Sequence, residues 1–563
     1  MTEFLFVFGL AIVLGWPLGR YLAAIMRGAP MRGDRLFAII ERPLYRLLGI
    51  DPAQGMSWKT YASAFLLSNL ILGLLVWMLL MSQQWLPLNP NAAPNMRWDL
   101  ALHTAVSFLT NTNQQHYSGQ AQLSYLSQMT AIVGLQVITP MMGLALVVAT
   151  LRGLFGGRQQ TDRSQPADVG NFWADLIRPT IRLFLPLCLL LSVLLTAQGV
   201  PATLDGGPKA TPLDGAAQMS EQKIPLGPVA AMVAAKQLGT NGGGWYGPNS
   251  SVALENPTPV SNLLQTLALI LLPVAIVFMV GDFTGRARLS ALIFGCMLSM
   301  SLMSAGIALW SEGHSASSSD IALMEGKEVR FGADASALWA ALTTQTSNGS
   351  VNSMHDSLAP LTGMVTIANM LVNGIWGGIG CGLQQFLVYL LLSVFLAGLM
   401  TGRTPELLGR KIEAPEVKCL AVLVLLQPLV ILGLSAVSLL FPELTGNSNP
   451  GAHAISQVLY EYTSAFANNG SGFEGLGDAS YWWNLSCVLA LILGRYPALI
   501  LPLIIAAMLA RKRVTPEGPG TLQIETPTFA LTLMAIIAIL TLLQFMPVLV
   551  LGPVADHLQF ITR

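Results

Sequence analysis

The chain has 563 residues, of which 53% are hydrophobic and only 10% are charged. Soluble domains carry about 25% charged residues, so this composition excludes an ordinary soluble protein. Basic and acidic residues both number 29, so the net charge gives no indication of a nucleic-acid partner. Several apolar runs exceed the length of about 20 residues that a helix needs to cross a bilayer. The sequence therefore predicts an integral membrane protein with many spans.

Ten long apolar segments predict ten transmembrane helices. In chain order they cover residues 4–25, 61–86, 124–153, 178–200, 259–283, 288–311, 359–400, 417–441, 480–511 and 528–551. The first segment lacks a basic leader and a small-residue cleavage site, so we predict a retained span and not a signal peptide.

Four connections contain a second, shorter pattern, in which an apolar segment leads into a cluster of Gly, Asn, Thr and Ser. They are DLALHTAVSFLTNTN (99–113), PVAAMVAAKQLGTNGGG (228–244), ASALWAALTTQTSNGS (335–350) and AISQVLYEYTSAFANNGSG (454–472). Such a segment is too short to span and predicts a re-entrant half-helix. Polar backbone at membrane depth is tolerated only where it lines a cavity or is buried in protein.

Basic residues predict the orientation of the chain. They concentrate in the connections after spans 1, 3, 5, 7 and 9, for example at Arg27, Arg152, Arg286, Arg403 and Arg511. The positive-inside rule places these connections in the cytoplasm. Both termini and all four half-helices are therefore predicted on the outside.

The unit span, half-helix, polar cluster, span occurs four times, and a repeat of this kind determines the fold. We predict an all-α membrane protein with four such repeats around a pseudo-fourfold axis, plus one extra helix at each end. The predicted units are 1–60 (extra helix and cytoplasmic loop), 61–153, 172–283, 288–400 and 417–512 (the four repeats) and 528–563 (extra helix).

Four polar loops that meet at one axis suit a monovalent cation, because rings of backbone carbonyls can replace its hydration shell. Glycine has no Cβ and adopts positive φ freely, which lets successive carbonyls point the same way. The half-helix before each loop directs its negative C-terminal end at the ion. The first loop, TNTN, lacks glycine, so Asn111 and Thr112 must adopt the same conformation with side chains present.

The four loops TNTNQQHYSG, LGTNGGGWYGPNSS, TTQTSNGSVNSMHDS and FANNGSGFEGL resemble those of the A subunit of the Kdp-type potassium-transporting P-type ATPases. MEGKEVRFG (324–332) and GRTPELLGRKI (402–412) share this resemblance, which covers nearly the whole chain. It implies a multi-pass protein of the bacterial inner membrane with the fold of the superfamily of potassium transporters. It also implies a non-catalytic subunit that selects K⁺ and passes it sideways to a partner that hydrolyses ATP.

The partners implied by the resemblance are a catalytic P-type ATPase subunit (KdpB), a single-span subunit (KdpC) and often a small one-helix peptide (KdpF). ATP and Mg²⁺ would bind to the catalytic partner, and this chain would bind no cofactor beyond K⁺, its substrate ion. Gln115 matches a glutamine that bears on selectivity in the family. Carried over by position, the filter residues are Asn111, Thr112, Thr240, Asn241, Gly242, Ser347, Asn348, Gly349, Asn468, Asn469 and Gly470.

Two features bear on a barrier below the filter. The resemblance implies the first, because the family has a loop in the second helix of the third repeat that blocks the straight path to the cytoplasm. The glycines in NGIWGGIGCG (373–382), including Gly377, Gly378 and Gly380, each weaken a helix by roughly 1 kcal/mol relative to alanine. They favour a broken stretch in span 7, although close helix packing through small residues is an alternative. Arg495 lies far inside span 9, where a charge is costly and normally faces a cavity or partner. We expect its charge to stand below the filter and impede straight-through leakage, although a structural arginine paired with buried carbonyls is an alternative. At the cytoplasmic end, Arg403 is either an ordinary snorkelling residue or a contact to the ATPase subunit.

The sequence has neither a GxxxxGK[ST] phosphate loop nor a DKTGT-type phosphorylation motif. ATP hydrolysis by this chain alone is therefore not expected. An autonomous potassium channel or cation symporter of the same fold, gated by nucleotide-binding subunits, remains an alternative, because the fold alone does not distinguish the two.

Overall fold

The computed structural model describes residues 2–156, 167–214, 219–314, 324–516, 518 and 521–562. Residues 315–323, within the predicted third repeat, lie outside this set. The helices are α1 Thr2–Arg27, α2 Asp34–Leu47, α3 Trp58–Ser82, α4 Trp98–Leu109, α5 Gly119–Gln122, α6 Val133–Phe155, α7 Phe172–Pro179, α8 Leu185–Ala197, α9 Val229–Leu238, α10 Pro259–Thr284, α11 Ala287–Gly313, α12 Ala333–Gln345, α13 Pro360–Val372, α14 Cys381–Met400, α15 Ala414–Leu440, α16 Gly451–Phe466, α17 Tyr481–Ala510, α18 Pro527–Leu549 and α19 Ala555–Thr562. Two short antiparallel hairpins pair β1 Lys209–Ala210 with β2 Gln222–Lys223, and β3 Glu406–Leu407 with β4 Arg410–Lys411.

Among the described residues, ten helical segments are long and apolar enough to cross a membrane. They are Glu3–Arg27, Trp58–Trp85, Ser127–Phe155, Phe172–Ala197, Pro259–Thr284, Ala287–Gly313, Cys381–Met400, Ala414–Leu440, Tyr481–Ala510 and Pro527–Gln559. The prediction of an all-helical, ten-span membrane protein is confirmed. Exposed leucines and isoleucines cover the outer surfaces of α3, α8, α15 and α18, as expected of helices that face lipid tails.

Four shorter helices, α4, α9, α12 and α16, are the half-helices, and each precedes one of the polar clusters. Their residues are mostly buried, polar ones included. Span 7 is divided into α13 and α14 by residues 373–380.

Both chain ends lie on one side of the molecule, which we call the terminal face. Glu3 accepts a hydrogen bond from Asn262 near the start of α10 (3.2 Å), and Asp556 of α19 pairs with His453 at the start of α16 (2.8 Å). The half-helices begin on this face. The opposite side carries Arg27, Arg152 and Arg511 and is called the arginine-rich face.

The extra first helix packs along α10, the second span of the second repeat. Gly19 permits this contact, because a Cβ at that position would lie 2.8 Å from the Phe278 side chain and closer still to the Ala275 carbonyl. Small residues let neighbouring membrane helices approach closely. The extra last helix, α18, packs beside α13 and α14.

Candidate cation-binding ring

Every half-helix ends in the same way, with a residue whose backbone is left-handed. These residues are Asn111 (φ 61°), Thr240 (49°), Ser347 (48°) and Asn468 (52°). The next backbone N–H then bonds to the carbonyl five residues earlier, at 2.9–3.0 Å, in all four repeats: Thr112 to Ser107, Asn241 to Lys236, Asn348 to Thr343 and Asn469 to Ser464. This is the Schellman arrangement, which normally uses glycine at its left-handed position.

Two residues further on, the backbone is left-handed again. This third position is Asn113 (φ 58°), Gly242 (69°), Gly349 (85°) and Gly470 (94°). The residues align as four equivalent triplets, which we call ring loops 1 to 4: 111–113, 240–242, 347–349 and 468–470. The sequence prediction includes all three residues of loops 2, 3 and 4. In loop 1 it includes Asn111 and Thr112 but misses Asn113. Asparagine adopts the left-handed region more readily than other residues with a side chain, so the NxN spacing of TNTN was the available signal.

The four ring loops contact one another in cyclic order. A Cβ added to the third residue of loops 2, 3 and 4 would lie well under 3.0 Å from the second-position carbonyl oxygen of the next loop. The pairs are Gly242 with Asn348, Gly349 with Asn469, and Gly470 with Thr112. Asn113 completes the circle by donating from Nδ2 to the carbonyl of Gly242 (3.0 Å). The structure therefore brings all eleven predicted filter residues together with Asn113.

Side chains behind the ring hold the loops in place. Asn111 donates to the Thr240 carbonyl (3.0 Å), Asn348 to the Lys236 carbonyl (3.1 Å) and Asn469 to the Thr343 carbonyl (2.8 Å). Gln115 pairs with both backbone groups of Gly244, accepting from its N–H (2.8 Å) and donating to its carbonyl (3.0 Å). Gln115 therefore fixes the segment directly after ring loop 2.

Thr240 is the most unusual residue of the ring, because a β-branched residue at positive φ is a genuine outlier. Such strain costs about 1–3 kcal/mol and persists only where the surroundings enforce it. The Thr240 hydroxyl accepts a hydrogen bond from the backbone N–H of Ile379 (3.0 Å), in the break of span 7. The strained residue thus links the ring to the break.

The break at residues 373–380 lies directly against the arginine-rich side of the ring. Gly377 and Gly380 have positive φ (63° and 78°), and the Gly377 N–H donates to the Gln345 carbonyl at the end of α12 (2.7 Å). Gly378 lies so near the ring that an added Cβ would be 3.5 Å from the Thr240 hydroxyl and 3.6 Å from Ser347 Cβ. The glycines of this stretch therefore lie in a loop, and Gly380 also packs closely against the backbone of α6 at Gly143.

Arg495 is buried, with 3% of its surface exposed, and lies beside the same break. Its guanidinium contacts the Cys381 sulfur (2.5 Å) and donates to the Thr139 carbonyl (3.4 Å). It therefore joins the fourth repeat to the third and the first. Arg403 is distant from the ring, exposed on the arginine-rich face, and donates to the Thr521 carbonyl (3.2 Å).

A cleft of about 570 Å³ on the terminal face is lined by residues that follow the ring loops in the chain. All four repeats line it, through Gln115, Gly247, Ser353 and Gly472. Two carboxylates that sequence reasoning missed, Glu474 and Asp478, also line this cleft, which we call the mouth. Glu474 is exposed in the mouth, and Asp478 is partly buried there.

A buried ion pair supports ring loop 2 and was also missed. Lys236 occupies the half-helix position that Ser107, Thr343 and Ser464 hold in the other repeats. Its ammonium is fully buried and bonds to Glu255, to Asn249 Oδ1 (2.6 Å) and to Ser250 (2.8 Å). These bonds close the chain segment that contains TNGGGWYGPNSS, so the paired charges serve to fix its shape.

The ten spans and the four ring loops together define a membrane protein of a potassium-transporter fold. Among solved structures, the chain is similar to the potassium transporter TrkH from Vibrio parahaemolyticus. The TM-score is 0.50 with 15% sequence identity, over 87% of this chain and 97% of that chain. At that identity, the likeness shows the fold alone.

The family follows from sequence. The model of the potassium-transporting ATPase A subunit family matches residues 5–558. The potassium-transporting ATPase potassium-binding subunit of Pseudomonas aeruginosa is 45% identical over 98% of this chain and 97% of its own length. That of Gloeobacter violaceus is 44% identical over 96% of this chain and 94% of its own length. The chain belongs to the potassium-transporting ATPase A subunit family.

Proposed function

We propose that this chain is the potassium-selecting subunit of an ATP-driven K⁺ importer, and that K⁺ binds at the ring formed by loops 1 to 4. One observation carries this proposal: four half-helices with the same left-handed C-terminus present equivalent triplets that contact one another in cyclic order. Each half-helix directs the negative end of its dipole at the ring, which favours a cation. Backbone carbonyls can then replace the water that the ion loses.

The route beyond the ring is the second part of the proposal. The break at 373–380 and the charge of Arg495 stand on the arginine-rich side of the ring and oppose straight passage of a cation. The ion leaves sideways to a catalytic P-type ATPase partner, which binds ATP and Mg²⁺. A single-span subunit and a small one-helix peptide complete the complex, and Arg403 lies on the face that contacts the cytoplasmic parts of the partner.

The proposed location is the bacterial inner membrane, with the arginine-rich face in the cytoplasm and both termini outside. Basic residues are retained preferentially on the cytoplasmic side. In this orientation the mouth, with Glu474 and Asp478, receives ions from outside the cell, where its negative charge raises the local cation concentration.

The test is K⁺-stimulated ATP hydrolysis by the complex that copurifies with a tagged copy of this chain, with and without Gly242→Asp. Gly242 has positive φ and touches loop 3, so aspartate changes both the shape and the charge of the ring. We expect vanadate-sensitive hydrolysis that needs at least tenfold more K⁺ in the variant. The matched control is Gly451→Asp, because Gly451 also has positive φ (71°) and faces open space.

The alternative function is that of an autonomous channel or symporter, because the chain shares its fold with the potassium transporter TrkH. If no ATPase copurifies and the purified chain alone conducts K⁺ in liposomes, the pump proposal fails and the channel function replaces it. If Gly242→Asp leaves the K⁺ requirement unchanged while Gly451→Asp raises it, the ring is not the selecting site.

A further inference from the structure

Three metal-ligating side chains meet behind ring loops 1 and 4 and take no part in the ring. His116 follows loop 1, Glu461 lies in half-helix α16, and Cys487 lies in span α17. One ligand atom from each residue lies within 4.8 Å of the other two, and all three residues are buried. Three separate elements of the first and fourth repeats thus converge on one point.

We propose that His116, Glu461 and Cys487 form a binding site for a divalent cation of the zinc type, separate from the K⁺ ring. An imidazole, a thiolate and a carboxylate are the ligand types that Zn²⁺ takes, whereas K⁺ and Mg²⁺ prefer oxygen. Tetrahedral bonds of the usual length hold ligand atoms about 3.3–3.8 Å apart. His116 Nε2 and Glu461 Oε1 already lie 3.4 Å apart, and the thiol needs to move by about 1.5 Å at most.

A second shell of hydrogen bonds orients the ligands, as in established metal sites. The other imidazole nitrogen of His116, Nδ1, lies 2.8 Å from Asn484 Oδ1, and the Asn484 amide donates to Asp99 Oδ2 (2.8 Å). Gln114 donates to the Glu461 carboxylate. The His116 ring also stacks on His103, with ring centres 3.8 Å apart. The imidazole therefore presents Nε2 to the site in a fixed direction.

The site adjoins the mouth through one of its three ligands, and its occupancy would affect the ring. His116 lines the mouth together with Glu474 and Asp478, which provide an acidic path for a divalent cation. Gln114, which holds Glu461, is the neighbour of Asn113 in ring loop 1. An ion bound here ties loop 1 to half-helix α16 and restrains movement of the ring, so it lowers K⁺-stimulated turnover. Only this effect on turnover rests on the proposed function, because binding itself needs no K⁺ transport.

The test uses the detergent-purified complex, titrated with Zn²⁺ by calorimetry and with Co²⁺ by absorption spectroscopy. We expect one Zn²⁺ per chain and a Co²⁺–thiolate charge-transfer band, both lost in Cys487→Ser. Asn484→Ala, which removes the second-shell partner, weakens Zn²⁺ binding about 10–100-fold. Cys419→Ser is the matched control, because Cys419 lies near the arginine-rich end of α15 and leaves binding unchanged.

Equal Zn²⁺ binding by Cys487→Ser and the parent complex, or Co²⁺ binding without a thiolate band, would overturn the site. Thermal melting of each variant without metal distinguishes a lost ligand from a lost fold, and His116→Asn provides an independent second ligand variant. A third outcome separates the two parts of the proposal. If the parent complex binds Zn²⁺ at this site, but Zn²⁺ inhibits K⁺-stimulated hydrolysis equally in the parent and in Cys487→Ser, the site is confirmed and its effect on the ring is excluded.

Discussion

Asn113 is the residue at which the first ring loop departs from the other three. It holds a left-handed backbone where loops 2, 3 and 4 have glycine, and its amide bonds to the Gly242 carbonyl. Loop 1 therefore contacts loop 2 through a side chain, whereas the other neighbouring loops contact one another through their backbones. The backbone and the side chain of Asn113 make separable contributions to the ring.

Substitutions at Asn113 distinguish these contributions. Asn113→Gly keeps the left-handed backbone and loses the hydrogen bond. One neutral hydrogen bond is worth about 0.5–1.5 kcal/mol net, so we expect the K⁺ concentration for half-maximal ATP hydrolysis to rise by between about twofold and about twelvefold. Asn113→Val also forces a β-branched residue into the left-handed region, at about 1–3 kcal/mol. Its K⁺ requirement should rise at least about tenfold. If the K⁺ requirement rises more in Asn113→Gly than in Asn113→Val, the backbone and side-chain contributions are not separable in this way.

The residues of the ring show which part of the site was predictable. Glycine runs and Asn-Gly pairs mark positive φ directly in loops 2 to 4, and the sequence therefore gives their positions. Thr240 and Ser347 give no such signal, because their left-handed backbones follow from the end of a half-helix and from contacts to the break. Lys236 and Glu255 are 19 residues apart, and their pairing depends on how the intervening loop folds.

At the scale of elements, the break in span 7 has two kinds of glycine. Gly380 has positive φ, and an added Cβ would lie well under 3.0 Å from the Gly143 carbonyl. Gly378 lacks positive φ, and a Cβ there would make only ordinary contacts to Thr240 and Ser347. The first glycine is needed for the fold of the break, while the second leaves space beneath the ring.

Alanine at each position tests this difference. Gly380→Ala should lower the thermal stability of the complex, because the left-handed backbone alone costs about 1–2 kcal/mol with a Cβ and the overlap adds to it. Gly378→Ala should change stability by less than about 1 kcal/mol, but its methyl group should slow K⁺-stimulated hydrolysis several-fold. Melting curves and turnover are measured on the same preparations. Equal stability losses in both variants would show that Gly378 is also needed for folding.

A second link between elements joins half-helix α16 to the C-terminal helix. His453 lies between Asp356 (2.7 Å) and Asp556 (2.8 Å). Burial disfavours the charged imidazole, but hydrogen bonds to both carboxylates prevail and raise the pKa of His453 from 6.5 to about 9. The positive ring therefore holds α16, α19 and the loop after ring loop 3 together.

This link predicts how stability depends on pH. Because the folded-state pKa of His453 is raised, its contribution is complete below about pH 6.5 and disappears as the pH rises through about 9, with an upper limit of about 3 kcal/mol. We expect the melting temperature of the complex to fall between pH 7 and pH 10, and to fall less in His453→Gln. His314→Gln is the control, because His314 is exposed. Parallel pH curves for the parent and His453→Gln would exclude the link.

For the whole molecule, the sequence predicts the number of spans, the repeat and its pseudo-fourfold arrangement, but not which residues of neighbouring repeats contact one another. Apolar length and the four polar clusters are local signals, so ten spans and four half-helices can be read from the chain. The closure of the ring between loop 4 and loop 1 joins Gly470 to Thr112, more than 350 residues apart, and arises only from packing. The acidic mouth likewise takes residues from loops of all four repeats.

Arg495 connects three of the four repeats. It belongs to the fourth repeat, and its side chain contacts Cys381 of the third and Thr139 of the first. A buried guanidinium beside the break disfavours a cation at the same depth, since like charges repel strongly where little water screens them. In the proposed importer this repulsion prevents K⁺ from running back through the ring when no ATP is hydrolysed.

Neutralising Arg495 should therefore open a leak. We expect K⁺-loaded liposomes that contain the Arg495→Gln complex to lose K⁺ several-fold faster without ATP than those with the parent. Arg495→Lys keeps the charge but not the forked geometry, so it should leak less than the glutamine variant even if both fold less stably. Leak is measured by K⁺ efflux at matched protein content, with melting curves as a check on folding. If K⁺ efflux from the Arg495→Gln liposomes equals that from the parent, the break alone forms the barrier, because the 373–380 loop then blocks the path without the charge.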